Sequence, residues 1–109
     1  MLHVIVTTAH ANEGLFPTYP QGTAVDLLAP CDEFFDWHAC RIQGRDTYVY
    51  VHMLRDGALA ADYNPTELDV APGDHLEVLG IQGAWLHARD AARGRSGWIP
   101  AEKTRTVTA

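Results

Sequence analysis

Apolar residues recur at every second position along several short stretches of the chain, and the stretches come in two matching sets. Gly22-Thr23-Ala24-Val25-Asp26-Leu27-Leu28 and Gly73-Asp74-His75-Leu76-Glu77-Val78-Leu79 each open on a glycine, place apolar residues at alternate positions and end on one extra leucine. A period of two puts every second side chain on one face of an extended strand, so each stretch predicts a strand with one buried face. Trp37-His38-Ala39-Cys40-Arg41 then matches Trp85-Leu86-His87-Ala88-Arg89, and Gly44-Arg45-Asp46-Thr47-Tyr48-Val49 matches Gly94-Arg95-Ser96-Gly97-Trp98-Ile99. Each copy thus runs glycine turn, strand, Trp-led strand, Gly-Arg turn, aromatic strand. β-Branched and aromatic residues crowd these segments, with Gly and Pro between them at short intervals. Asp90-Ala91-Ala92-Arg93 is the one stretch with helix-like contents; it is too short to stand alone and is expected as a hairpin tip.

The pattern predicts an all-β chain of two tandem domains, residues 1–54 and residues 58–109. Arg55-Asp56-Gly57 is expected as the polar turn between them. Three residues reach only about 10 Å, so the two domains should pack together. Domains of this size stand near the lower limit for a self-sufficient core and would gain from that packing. Phe34 and Phe35 could serve such a contact or the core of the first copy. Leu68, Val70, Leu76, Val78, Ala88 and Ile99 are expected to face inward in the second. Gly73 and Gly97 are expected where a Cβ would crowd the backbone.

Composition narrows the functional classes. The chain has 109 residues, 47% of them hydrophobic, and a net charge of −6. That balance repels polyphosphate, and Arg89, Arg93, Arg95, Lys103 and Arg105 are expected to form a solvated face, so nucleic acid is not an expected partner. No segment approaches the roughly 20 apolar residues of a membrane helix, and the N-terminal stretch lacks the pattern of a secretory signal, so a cytoplasmic protein without a membrane partner is expected. Cys31 and Cys40 are expected as reduced thiols. With His38 they match no common zinc spacing, and neither metal nor any other cofactor is expected. The sequence contains no Gly-rich phosphate loop, nucleophile elbow or HExxH motif. Cys40 and His38 share a strand face but have no third group to orient them, so an enzyme is not expected.

The second copy resembles an SH3 domain. The family's opening Ala-Leu-Tyr-Asp-Tyr motif has its counterpart in Leu59-Ala60-Ala61-Asp62-Tyr63. Glu67-Leu68-Asp69-Val70-Ala71-Pro72-Gly73-Asp74 follows the family's next segment. Trp85 stands for the first Trp of the family's Trp pair, and Gly97-Trp98-Ile99-Pro100 for its closing Gly-Tyr-Ile-Pro. The resemblance implies two small SH3-like β-barrels in tandem, the first more divergent. It also implies a protein-interaction module that binds a peptide, often Pro-rich, or a partner surface. Carried over by position, the ligand-binding residues are Tyr63, Trp85, Trp98 and Pro100, with Glu67 facing a ligand cation. Two of the family's tyrosines are replaced, by Ala61 and Lys103, and Gly80-Ile81-Gln82-Gly83 offers no carboxylate. In the first copy, Phe16, Tyr19, Trp37, Tyr48 and Tyr50 could make a second aromatic surface. The alternative is a structural or regulatory subunit that caps a larger complex through its barrel surfaces.

Overall fold

A computed structural model describes residues 2–107. The described residues form ten strands and two one-turn 3-10 helices, with no α-helix. Strand β1 is His3–Val6, β2 Asp26–Pro30, β3 Trp37–Ile42, β4 Arg45–Tyr50, β5 Leu54–Arg55 and β6 Ala58–Leu59. Next come β7 His75–Gln82, β8 Trp85–Asp90, β9 Arg95–Pro100 and β10 Thr104–Thr106. The 3-10 turns are Val51–Met53 and Ala101–Lys103, each directly after an aromatic strand. The chain is all-β, as the period-two pattern implies; residues 91–94 turn the β8–β9 hairpin, and Asp90, expected in the tip, ends β8.

The chain divides into two compact units, but not at residues 55–57. One unit is discontinuous and joins Met1–Leu15 to Thr66–Ala109; the other is the continuous stretch Phe16–Pro65. The expected boundaries, residues 1–54 and 58–109, are therefore not those of the compact units. The reason lies in Asp56-Gly57. Both residues have positive φ, 53° and 77°, and Arg55 pairs with Ala58 across them. That is the two-residue turn whose twist suits a hairpin, with glycine where a Cβ would be strained. The segment expected to tether two domains instead folds β6 straight back onto β5, inside the continuous unit.

In the discontinuous unit the strand order is β10-β1-β7-β8-β9, all antiparallel. β1 thus comes from the start of the chain to lie between strands of the second copy. Its Val4 and Val6 join Leu68, Val70, Leu76, Leu86, Ala88 and Ile99 in one core, with Val78 packed at the margin. Five of the six expected core residues are buried and the sixth is half-buried. Burial of the two β1 valines contributes about 3–5 kcal/mol. In β8, Leu86 and Ala88 point into this core and Asp90 continues the same buried face.

In the continuous unit the sheets are β2-β3-β4 and β5-β6. Tyr19, Val25, Trp37, Cys40, Ile42, Val49, Leu59 and Tyr63 are buried. Phe35, by contrast, is 86% exposed and is not a core residue. Trp37 and Trp85 occupy corresponding places: Trp37 opens β3, which lies between β2 and β4, and Trp85 opens β8, which lies between β7 and β9.

The same hydrogen bonds recur in the two units at positions related by the repeat. The Gly22 N–H donates to the Leu59 carbonyl and the Leu59 N–H to Thr23; the Gly73 N–H donates to Val6 and the Val6 N–H to Asp74. Tyr19 and Tyr63 exchange both backbone bonds, as do Val70 and His10. Ala60 donates to the Met53 carbonyl, and Thr7 to Lys103. The extra leucines also correspond: a register shift falls between Leu27 and Ala29 in one unit and between Val78 and Gly80 in the other. Leu28 and Leu79 are therefore β-bulge residues, which is why the alternation skips there.

Candidate binding surface

Glu67, Trp85, Trp98 and Pro100 all lie in the discontinuous unit. Trp85 opens β8 opposite Pro100 of β9, and His87 lies opposite Trp98. Trp85 remains half-buried, whereas Trp98 is only 7% exposed and Pro100 is buried. The Trp98 indole stacks on the His87 imidazole, centroids 5.0 Å apart. Burial of His87 disfavours its charged form and lowers its pKa from the usual value.

Glu67 is placed by the backbone of β9. The Trp98 N–H donates to the Thr66 carbonyl at 3.1 Å and the Leu68 N–H to the Trp98 carbonyl at 3.0 Å. This parallel bridge brings residues 66–68 so close that a Cβ at Gly97 would lie 2.8 Å from the Thr66 oxygen. Gly97 is thus crowded as expected. Gly73 is not: its Cβ would meet nothing within 4 Å, and its φ of +96° is what favours glycine there.

Tyr63 belongs to the continuous unit, where it is buried and its hydroxyl donates to the Tyr48 carbonyl at 2.7 Å. The equivalent position of the discontinuous unit is filled by His10, through its paired bonds with Val70. The His10 ring meets Trp85 edge-on, centroids 5.8 Å apart. Its Nε2 lies 2.6 Å from Glu67 Oε1, and its Nδ1 lies 2.8 Å from Lys103 Nζ. An ammonium only donates and a carboxylate only accepts. His10 therefore accepts from Lys103 at Nδ1 and donates to Glu67 from Nε2. Asn12 secures the same segment: its side-chain amide donates to the Glu67 carbonyl at 2.9 Å and its backbone N–H to Asp69 Oδ1 at 2.6 Å.

The arrangement gathers a half-exposed indole, an imidazole, a carboxylate and an ammonium. His10 and Asn12 were absent from the residues expected at the site. The backbone hydrogen bonds match Val6 to Leu59 and His10 to Tyr63; the ungapped repeat in the sequence does not, so it is the folded chain that finds His10. Of the expected aromatic residues in the first copy, Tyr19 and Trp37 are buried and Tyr48 is exposed. Phe16 lies under the Arg45 guanidinium, 4.4 Å from its ring centroid, and Tyr50 packs on Trp37. No group of three or more His, Cys, Asp or Glu able to hold a metal occurs among the described residues. Cys31 and Cys40 are free thiols, and no helix among the described residues is long and apolar enough to cross a membrane.

Residues 60–101 match the SH3 domain family, so an SH3 domain is found over that span. SH3 domains are in general non-catalytic interaction modules that bind peptides or protein partners, often Pro-rich. Residues 60–65 of the match fall in the continuous unit and residues 66–101 in the discontinuous one. No curated protein and no solved structure matches the chain.

Proposed function

We propose that the chain is a protein-interaction module that binds a peptide or a partner surface through the aromatic face of its discontinuous unit. The observation that carries this reading is the half-exposed Trp85 within the SH3 span, beside the Lys103–His10–Glu67 array. Trp85 supplies the flat apolar contact. Trp98 and Pro100, being buried, support the strand beside it, and Glu67 anchors the His10 ring that meets Trp85. Tyr63 has its role taken over by His10. The recurrence of the same hydrogen bonds supports a tandem of two SH3-like barrels whose sequence copies, residues 1–54 and 58–109, have traded their leading segments. In that arrangement residues 3–15 complete the body of the second copy, and residues 58–65 complete the body of the first. Two free thiols fit a cytoplasmic setting.

The test is Trp85→Ala, with affinity for a Pro-rich peptide and thermal unfolding measured on the same sample. A binding role predicts a loss of about 2 kcal/mol in affinity, the scale of an aromatic hot spot. Unchanged affinity of the folded fraction, with lower stability, would show that Trp85 only packs. A second reading, a structural or regulatory subunit capping a larger complex, is favoured by the two bulged leucines. Leu28 and Leu79 are 51% and 48% exposed at equivalent strand positions of their own units, and each offers an apolar contact to a globular partner. Leu79→Ser abolishing partner capture while Trp85→Ala leaves it intact would select this alternative.

A further inference from the structure

The polar half of the surface sets which charge a ligand can bring. The Glu67 carboxylate already accepts a hydrogen bond from His10, and its side chain is 21% exposed. A cationic ligand aiming for Glu67 would have to displace His10 and would also meet the Lys103 ammonium held at the other end of the same ring. Gly80-Ile81-Gln82-Gly83 places no second acid on the neighbouring hairpin. Lys103 differs from Glu67 in what it has left to offer. An ammonium carries three N–H groups, and His10 takes one. His10 also restrains the long lysine side chain, so less rotamer freedom is lost when an anion binds.

Resting on the binding reading above, we infer that this surface selects an extended peptide with an Asp or Glu beside the residue that packs on Trp85. Lys103 is the residue that recognises the carboxylate, and His10, itself anchored on Glu67, is the residue that positions Lys103. Charge-assisted hydrogen bonds from Lys103 hold the ligand acid, while the Trp85 face takes the neighbouring apolar residue. An Arg or Lys at the same place in the ligand is disfavoured by the same ammonium.

The experiment uses the full chain and three Pro-rich decapeptides that differ only in one residue, Glu, Gln or Arg, titrated at fixed ionic strength. The Glu peptide should bind roughly three- to tenfold more tightly than the Gln peptide, the range of an ion pair between exposed and partly covered groups. The Arg peptide should bind most weakly. Lys103→Gln should bring the Glu and Gln peptides to equal affinity, and Lys103→Arg should keep the preference. His10→Phe retains a ring against Trp85 but releases Lys103, so it should lower the Glu-to-Gln ratio more than the affinity for the Gln peptide. Tightest binding of the Arg peptide, lost in Glu67→Gln, overturns the inference. So does equal binding of all three peptides that still depends on Trp85, an outcome that leaves the binding reading standing. No binding by any of the three overturns both.

Discussion

Replacing Gly97 by Ala places a methyl group where the backbone of residues 66–68 now lies. The new Cβ would be 2.8 Å from the Thr66 oxygen, 3.2 Å from the Glu67 carbonyl carbon and 3.2 Å from Leu68 Cγ. Two of those three atoms are backbone, held to Trp98 by the hydrogen bonds at 3.1 and 3.0 Å. No side-chain rotation relieves the overlap, so the segment must move away from β9 and stretch both bonds. Overpacking of this kind costs about 1–3 kcal/mol. Ala recovers roughly 0.5–1 kcal/mol by restricting the unfolded chain, which leaves a net loss of up to about 2.5 kcal/mol. Gly80→Ala is the internal control: β7 continues through it, its φ lies outside the left-handed region, and its Cβ would meet nothing within 4 Å. It should be neutral or stabilising by up to about 1 kcal/mol. Urea unfolding of both variants reads the two signs, and amide shifts of Glu67 and Trp98 report whether the bridge opens. Gly97→Ala as stable as the parent, with those amides unmoved, would refute the claim that the missing Cβ lets residues 66–68 seat against β9.

Three other outcomes follow from the same geometry. Gly57→Ala puts a Cβ at φ +77° and should cost about 1–2 kcal/mol, seen as faster hydrogen exchange at Leu59; unchanged exchange would show that the turn does not direct β6. Burial alone would raise the Asp90 pKa, but hydrogen bonds and charge from Arg93, with the charge of Arg95, outweigh it and hold the carboxyl below its ordinary range. The stability Asp90 contributes is therefore present above the ordinary Asp pKa and lost as pH falls through the lowered value. Asp90→Asn should cost about 1–2 kcal/mol at pH 7 and flatten the acid limb of a melting-temperature profile, and a parallel profile would count against the network. Burial, with Asp46 adding, pushes the Cys40 thiol up to about 11, so iodoacetamide at pH 8 should leave Cys40 unmodified in the folded protein while alkylating the half-buried Cys31. Modification of Cys40 by mass spectrometry, without unfolding, would overturn its burial.

The local elements of this protein can be read from its residues alone. Strands β2 to β4 and β7 to β9 are legible because each pairs with a neighbour in the chain, so alternation and a short turn suffice to specify them. The extra leucines at 28 and 79 are legible as departures from that alternation, although the bulges they form appear only when the strands are paired. Trp85, Trp98 and Pro100 share a unit because they lie within one run of hairpins, whereas Glu67 joins them through its parallel bridge to Trp98. The partner of β1 is settled only in the folded chain. β1 pairs with β7 across some seventy residues, and no local pattern in His3-Val4-Ile5-Val6 names that partner. The Asp56-Gly57 turn holds β6 on β5, and β7 pairs with β1. His10 reaches Glu67, Trp85 and Lys103 because its segment shares their unit, and Tyr63 lies in the continuous unit. A short turn is a local fact of the chain, but the strand edge it leaves open, and the residue that comes to fill it, exist only in the folded chain.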